Sequence, residues 1–311
     1  ALEPLARIVH CRRRQGPQRR TLLREAARSD VLICFLTERI DEELLRAAPR
    51  LRFISNYAAG VDNVDVAFAT RRGIPIGHTP GVLTDATADL AFALLLACAR
   101  RIPEAERFMR AQRSVEWEPA LFLGADLSGR TLGLIGFGRI GRAVARRARG
   151  FSMKILYHAR HRAPRSVERS LGAAYAPLRR LLRESDFVSL HVPLSPMTRH
   201  MIGPAALRLM KRTAILVNTS RGAVVDERAL ARTLARGRIA GAALDVYEKE
   251  PAIHPSLLRA QNALLVPHIG SATVRTRRRM AEIAVANVAA FLRGEIPPFV
   301  VNPEAFRVKR G

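Results

Sequence analysis

Short apolar runs of four to seven residues recur along the chain. Between them, apolar positions return every three to four residues. Runs apolar throughout read as strands buried on both faces, and the intervening period reads as amphipathic helix, so the alternation predicts parallel βαβ units. The early runs are "RIVH" (7–10), "DVLICF" (30–35), "RFIS" (52–55) and "IPIG" (74–77), with helical patterns near 18–28, 41–48 and 65–72. The opening "ALEPLA" reads as a further helix, and one long helix is expected over roughly 83–110. Six more β-rich runs follow: "TLGLIG" (131–136), "KILYH" (154–158), "DFVSLHV" (186–192), "TAILVN" (213–218), "AGAALDV" (240–246) and "NALLVP" (262–267). Six is the number in a full doubly wound sheet. A last helix is expected from 272 to about 293. The tail "GEIPPFVVNPE" reads as coil, because Pro297 and Pro298 bar further helix.

A chain of 311 residues fits two domains. The tail has no sheet of its own, so it is expected to fold back on the first unit. The expected organisation is α/β, with residues 81–272 as one domain inserted in a discontinuous second domain, 1–80 plus 273–311.

Charge changes this picture little. The formal net charge is +25, which raises the idea of a nucleic-acid partner. Lysine, however, occurs only at 154, 211, 249 and 309, and the arginines are spread over nearly the whole chain. That pattern reads as arginine replacing lysine at ordinary surface positions, with no specific nucleic-acid site. Cys11, Cys34 and Cys98 have neither metal-ligand nor disulfide spacing, so reduced thiols in a cytoplasmic protein without a metal are expected. The apolar run Leu90 to Ala99 is far shorter than the ~20 residues a membrane span needs. Arg7, Arg12, Arg13 and Arg14 interrupt any signal-peptide core.

The stretch "GFGRIG" places Gly136, Gly138, Arg139, Ile140 and Gly141 between a strand and a helix. In that context the first glycine permits a tight turn, the second lets a pyrophosphate approach the backbone, and the third lets helix and strand pack closely. About twenty residues on, an acid is expected to hold a ribose 2′-hydroxyl. The chain has "YHARHR" there instead, with His158, Arg160 and Arg162. An arginine fork suits a 2′-phosphate, and charge-assisted hydrogen bonds contribute roughly 1.5–3 kcal/mol each. The loop is therefore expected to prefer NADP(H), with NAD(H) left open.

Three strand ends carry reactive side chains: Arg221 after "TAILVN", Glu248 and Glu250 after "GAALDV", and His268 after "NALLVP". Ligands of open α/β sheets sit at such carboxyl ends. A guanidinium, a carboxylate and an imidazole together suit reduction of a carbonyl next to a carboxylate. Arg221 binds and polarises, His268 gives the proton, and the Glu favours the imidazolium. Asp226 reads as a helix N-cap rather than a catalyst.

Several segments carry a family resemblance: "LGLIGFGRIG", "NTSRGAVVDERAL", "AGAALDVYEKEP", "PHIGSAT", "SNYAAGVDNVDV", "TPGVLTDATADLAFALLLACARR" and "LRGEIPPFVVN". Over nearly its whole length the chain resembles the D-isomer-specific 2-hydroxyacid dehydrogenases, most of all their glyoxylate/hydroxypyruvate reductase branch. The resemblance implies a Rossmann cofactor domain inserted in a flavodoxin-like substrate domain, both doubly wound parallel sheets. It implies NAD(P)H-dependent reduction of glyoxylate- or hydroxypyruvate-type 2-oxo acids to D-2-hydroxy acids. In that reaction Arg221 anchors substrate, and His268 is the proton donor with Glu250 as its partner. Asp245 and Thr219 lie at the nicotinamide, and the amides of Ala59 and Gly60 hold the substrate carboxylate. It also implies a homodimer, with the apolar stretch from Trp117 to Leu123 as a candidate contact. The rival on the same fold is a dinucleotide-sensing, corepressor-like binding protein. Against the family's pattern, the usual first strand is expected to be absent or truncated in this sequence.

Overall fold

The computed structural model describes residues 2–11, 17–111 and 116–308, so Arg12, Arg13 and Arg14 lie outside the described residues. The chain divides into two compact units, Ala1–Leu83 with Thr273–Gly311, and Thr84–Ala272.

The first unit begins with α1 (Arg19–Ala26), β1 (Val31–Cys34), α2 (Glu42–Ala47), β2 (Phe53–Asn56), α3 (Val66–Arg71) and β3 (Ile76–Gly77). Its sheet is parallel, in the order β1-β2-β3, with Val31 opposite Phe53 and Ile54 opposite Ile76. Asp41 and Asp65 start α2 and α3 by accepting the amides of Leu44 and Phe68 at 3.2 and 2.9 Å. The expected strand at 7–10 does not form. Its two apolar residues, Ile8 and Val9, are adjacent and would point to opposite faces, so neither face could be buried; both are exposed. The expected opening helix is a single turn, closed by Leu5 and Ala6 amides on Leu2 O.

The second unit runs α4 (Thr84–Ala99), α5 (Ile102–Ala111), β4 (Thr131–Ile135), α6 (Arg139–Gly150), β5 (Lys154–His158), α7 (Arg165–Leu171), β6 (Ala173–Tyr175), α8 (Leu178–Glu184), β7 (Phe187–Leu190), α9 (Pro204–Leu209), β8 (Ile215–Asn218), α10 (Glu227–Ala235), β9 (Gly241–Leu244), α11 (Pro255–Leu258) and β10 (Ala263–Leu265). All seven strands are parallel, in the order β10-β9-β8-β7-β4-β5-β6. The chain winds outward from β4 through β5 to β6, then returns to β7 and runs the other way. The switch point lies between β4 and β7, where such sheets bind ligands. Successive residues of β8 feed opposite cores: Ile215 and Val217 pack on one face with α4 and α6, and Leu216 on the other with α8 to α10. Burial on both faces is why these strands read as unbroken apolar runs.

Two expectations fail locally here. The seventh strand, β6, was not expected; three residues are too few to show a period. The long helix is two helices. Pro103 cannot donate to Ala99 O, which accepts the amide of Ala125 at 2.8 Å instead. Among the described residues, no helix is long and apolar enough to cross a membrane.

The chain re-enters the first unit with α12 (Val274–Leu292), capped by Thr273 Oγ1 on Thr276 N. α12 covers one face of β2: Phe53 stacks on Phe291 with centroids 4.7 Å apart, and Ser55 Oγ donates to Ala284 O at 3.0 Å. Ile54, between them, joins the core under α1 to α3 on the other face. The tail then lies antiparallel along β3, with Val300 opposite Gly77. Asn302, 1% exposed, fastens it by accepting Ile76 N at 2.7 Å and donating to Thr70 Oγ1 and Ile74 O at 2.8 and 3.1 Å. Replacing Asn302 with Ala leaves Ile76 N–H and Ile74 C=O buried without a partner, at about 1–3 kcal/mol each. The urea midpoint of Asn302→Ala should therefore fall markedly below the wild-type value; an unchanged midpoint would contradict this docking.

Candidate active site

At the switch point β4 ends in the glycine loop. Gly136 has φ 96°, and a Cβ there would collide with the carbonyl of His191 at the end of β7. A Cβ on Gly141 would collide with Gly136 O. Gly138 differs: nothing lies within 4 Å of its would-be Cβ, and it heads α6 with no side chain capping the helix. Two glycines are thus demanded by packing and one by open space over free helix amides, where an anion binds readily. Arg139 is exposed and Ile140 half-buried in the first turn of α6. Phe137 locks the loop to β5 by stacking on Tyr157 at 4.0 Å. Two buried polar atoms near this end of the sheet have no partner among the described residues, Thr219 Oγ1 after β8 and His191 Nδ1 after β7. Burial pushes His191 down to about 3, so its imidazole is neutral. An open anion cradle with unpartnered polar atoms on adjacent strand ends fits a dinucleotide.

The cations after β5 part company. His158 places Nδ1 3.2 Å from Ala176 O. Arg160 is exposed, with no hydrogen-bond or ion-pair partner among the described residues. Arg162 is committed elsewhere: its Nε and Nη2 grip Glu168 at 2.9 and 3.0 Å. Glu168 also accepts the buried Tyr157 hydroxyl at 2.6 Å, and that hydroxyl accepts Ala163 N at 2.9 Å. Arg162, read in the sequence with Arg160 as a phosphate-binding cation, is thus engaged by Glu168 and clamps the turn that presents Arg160.

Arg221, Glu250 and His268 follow β8, β9 and β10, which are neighbours in the sheet, so three sequence-distant segments leave it side by side. Gly222 presses on the Tyr247–Glu248 peptide so closely that no Cβ would fit, which joins the first two segments. Tyr247 joins the second to the third, its hydroxyl donating to Val266 O at 2.9 Å and lying 3.2 Å from Leu244 O. Asp245, 1% exposed, accepts the amides of Ile269 and Gly270 at 2.6 and 2.8 Å, while its own carbonyl accepts His268 N at 2.9 Å. Burial pushes the Asp245 carboxyl upward, opposed by those amides and by the nearby His268. This bracing holds His268 at φ 51°, a conformation that costs a non-glycine residue about 1–3 kcal/mol and collects at functional sites. Its Nδ1 lies 2.7 Å from Glu250 Oε2, and Glu250 Oε1 accepts Tyr247 N at 3.0 Å. An ionised carboxylate only accepts, so Nδ1 carries the proton and Nε2 faces outward from the pair. Arg221 donates from Nη1 to Ser220 O at 2.8 Å.

Comparison with known proteins decides the family. Residues 92–270 match the model of the D-isomer specific 2-hydroxyacid dehydrogenase NAD binding domain. The chain belongs to the D-isomer-specific 2-hydroxyacid dehydrogenases. A glyoxylate reductase of Thermococcus litoralis is 54% identical over 294 residues, 93% of this chain and 88% of that protein. Among solved structures, a glyoxylate reductase from Paecilomyes thermophila matches with a TM-score of 0.83 at 39% identity, over 92% of this chain and 89% of its own. An NADPH-dependent glyoxylate/hydroxypyruvate reductase from Sinorhizobium meliloti, solved with NADP and malonate, matches with a TM-score of 0.81 at 35% identity, over 90% and 86%. The chain is thus a nicotinamide-dinucleotide oxidoreductase, and the relatives weigh against the corepressor-like reading.

Some residues near the site escaped sequence reading. Glu248, paired there with Glu250, is structural: its Oε1 accepts Glu227 N at 2.8 Å and its Oε2 lies 3.2 Å from His200 Nε2. Asp226, by contrast, is the N-cap of α10 that the sequence leads one to expect, accepting Ala229 N at 2.8 Å. Tyr247 and Glu168 gave no signal, since a tyrosine after a strand and a glutamate in a helix are ordinary. Their importance lies in partners distant along the chain. Hydrogen bonds from Arg162 and Tyr157 hold the Glu168 carboxyl near pKa 2, below its ordinary 4.5. Its stabilising contribution is therefore complete above pH 4.5 and lost as pH falls towards 2. The Tm difference between wild type and Glu168→Gln should be constant near neutrality and shrink across that window; a difference independent of pH would contradict the clamp.

Proposed function

We propose that the chain reduces glyoxylate- and hydroxypyruvate-type 2-oxo acids to D-2-hydroxy acids, with NADP(H) preferred and NAD(H) accepted. The observation that carries this reading is the 2.7 Å His268–Glu250 pair, braced beside Arg221 on three adjacent strand ends. Gly136, Gly138 and Gly141, with the first-turn amides of Arg139 and Ile140, would hold the pyrophosphate. Arg160 beside His158 would meet the 2′-phosphate, and Thr219 and Asp245 would lie at the nicotinamide end. When bound, the reduced cofactor supplies the hydride that the carbonyl carbon takes up. Arg221 holds the substrate anion and polarises its carbonyl. His268 gives the Nε2 proton to the carbonyl oxygen, and Glu250 keeps the other imidazole nitrogen protonated throughout. In the first unit the amides of Ala59 and Gly60 are offered as donors to the substrate carboxylate. Neither has an acceptor among the described residues, which supports that role.

A homodimer and a cytoplasmic setting complete the proposal. α5 has no buried residue, and Ile102 and Met109 on it, with Trp117 and Leu123 beyond it, are exposed apolar side chains suited to a second copy. The three cysteines are unpaired thiols.

Absorbance decay of NADPH with glyoxylate tests the activity; no turnover with any 2-oxo acid would end the reading. His268→Gln should lower kcat by roughly 10²–10⁴-fold, the usual contribution of a general acid, with NADPH affinity retained. Arg160→Ala should raise KM for NADPH about tenfold or more while NADH changes little. Equal effects on both cofactors would remove the 2′-phosphate assignment. Light scattering should give twice the chain mass, and Met109→Glu should lower it.

A further inference from the structure

His78 stands directly after β3, and its backbone is fixed from both sides. Its amide donates to Phe299 O at 3.2 Å, and its carbonyl accepts Asn287 Nδ2 at 3.0 Å. Asn287 is fully buried, and its Oδ1 accepts Phe299 N at 3.2 Å, so tail and α12 hold this one residue together. From that support the side chain reaches back nineteen residues, placing Nδ1 3.0 Å from Ala59 O. A carbonyl only accepts, so Nδ1 is the donor whether the ring is charged or neutral.

The carbonyl it meets belongs to the peptide that joins Ala59 to Gly60. The neighbouring groups are also pinned. Asn56 Nδ2 donates to Gly60 O at 2.9 Å, Tyr57 N to Cys34 O at 2.7 Å, and Thr79 N to Ala58 O at 2.8 Å. In a planar trans peptide the C=O and N–H point opposite ways, so fixing Ala59 O aims the Gly60 N–H. A donor on that oxygen also polarises the peptide and strengthens the N–H as a donor. Every carbonyl from Ala58 to Gly60 is engaged, whereas the amides of Ala59 and Gly60 have no acceptor among the described residues.

We propose that His78 is a positioning residue for 2-oxo acid binding, its Nδ1–H orienting and polarising the Ala59–Gly60 peptide so that the Gly60 amide receives the substrate carboxylate. The inference rests on the reductase reading above and adds a side chain to it. His78 does not touch the reacting atoms. It acts on carboxylate binding, which is common to ground and transition states, so its removal appears in KM rather than kcat.

The test compares His78→Leu, which keeps bulk without a donor, with His78→Asn, whose Nδ2 sits where Nδ1 does. Leu should raise KM for glyoxylate and Ki for oxalate roughly three- to tenfold, the effect of one hydrogen bond, with kcat within about twofold. The Kd for NADPH should not move, and Asn should restore KM to near the wild-type value. A Leu variant that does not fold is replaced by His78→Phe, read the same way. An unchanged KM in a folded donor-free variant, an Asn variant as impaired as Leu, or a loss seen equally in NADPH affinity would overturn the assignment. Failure of the wild-type protein to reduce any 2-oxo acid is the separate outcome that removes the reductase reading itself.

Discussion

Asp245 is the residue on which the chemistry proposed for the second unit depends. Its carboxylate is buried at the end of β9 and accepts two successive amides from the segment after β10. With its carbonyl holding His268 N, one residue fixes the backbone on both sides of the imidazole. That bracing holds His268 in a left-handed conformation, with its ring against Glu250. Parallel pairing of β8, β9 and β10 supplies the rest, because in-register strands must end together and deliver their loops to one edge.

The same economy of support governs the features proposed to bind anions. Gly136 and Gly141 are fixed by contact with neighbouring backbone, and Phe137 on Tyr157 keeps the loop against β5. Tyr157 in turn reaches Glu168, and Glu168 holds Arg162, so one chain of contacts runs from the glycine loop to the cation-bearing turn. In the first unit Asn56, His78 and Asn287 give comparable support to a loop in which the Ala59 and Gly60 amides have no acceptor among the described residues. In each place a rigid scaffold presents unsatisfied donors.

Much of this was legible in the chain. The strands of the second sheet are apolar on both faces, and Gly136, Gly138 and Gly141 carry a spacing with a physical reason. Arg221, Glu250 and His268 each stand just past such a strand, which is why their departure from one edge of the sheet could be expected. What stayed hidden depends on pairing. Ile8 and Val9 look like strand residues until a partner strand is required. β6 is too short to have a period. Arg160 and Arg162 look alike in sequence, and only Glu168, folded back from α7, separates them. His78 looks like a loop histidine until Ala59, nineteen residues earlier, lies against it.

The most direct measurement of the central claim is the protonation state of His268, read by ¹⁵N-histidine NMR across the pH range in which the protein stays folded. The Glu250 carboxylate at 2.7 Å requires a proton on Nδ1, so the neutral ring should be the Nδ1–H tautomer with Nε2 bare. A neutral ring carrying its proton on Nε2, with Nδ1 bare, would mean that the pair is not built to deliver a proton from Nε2.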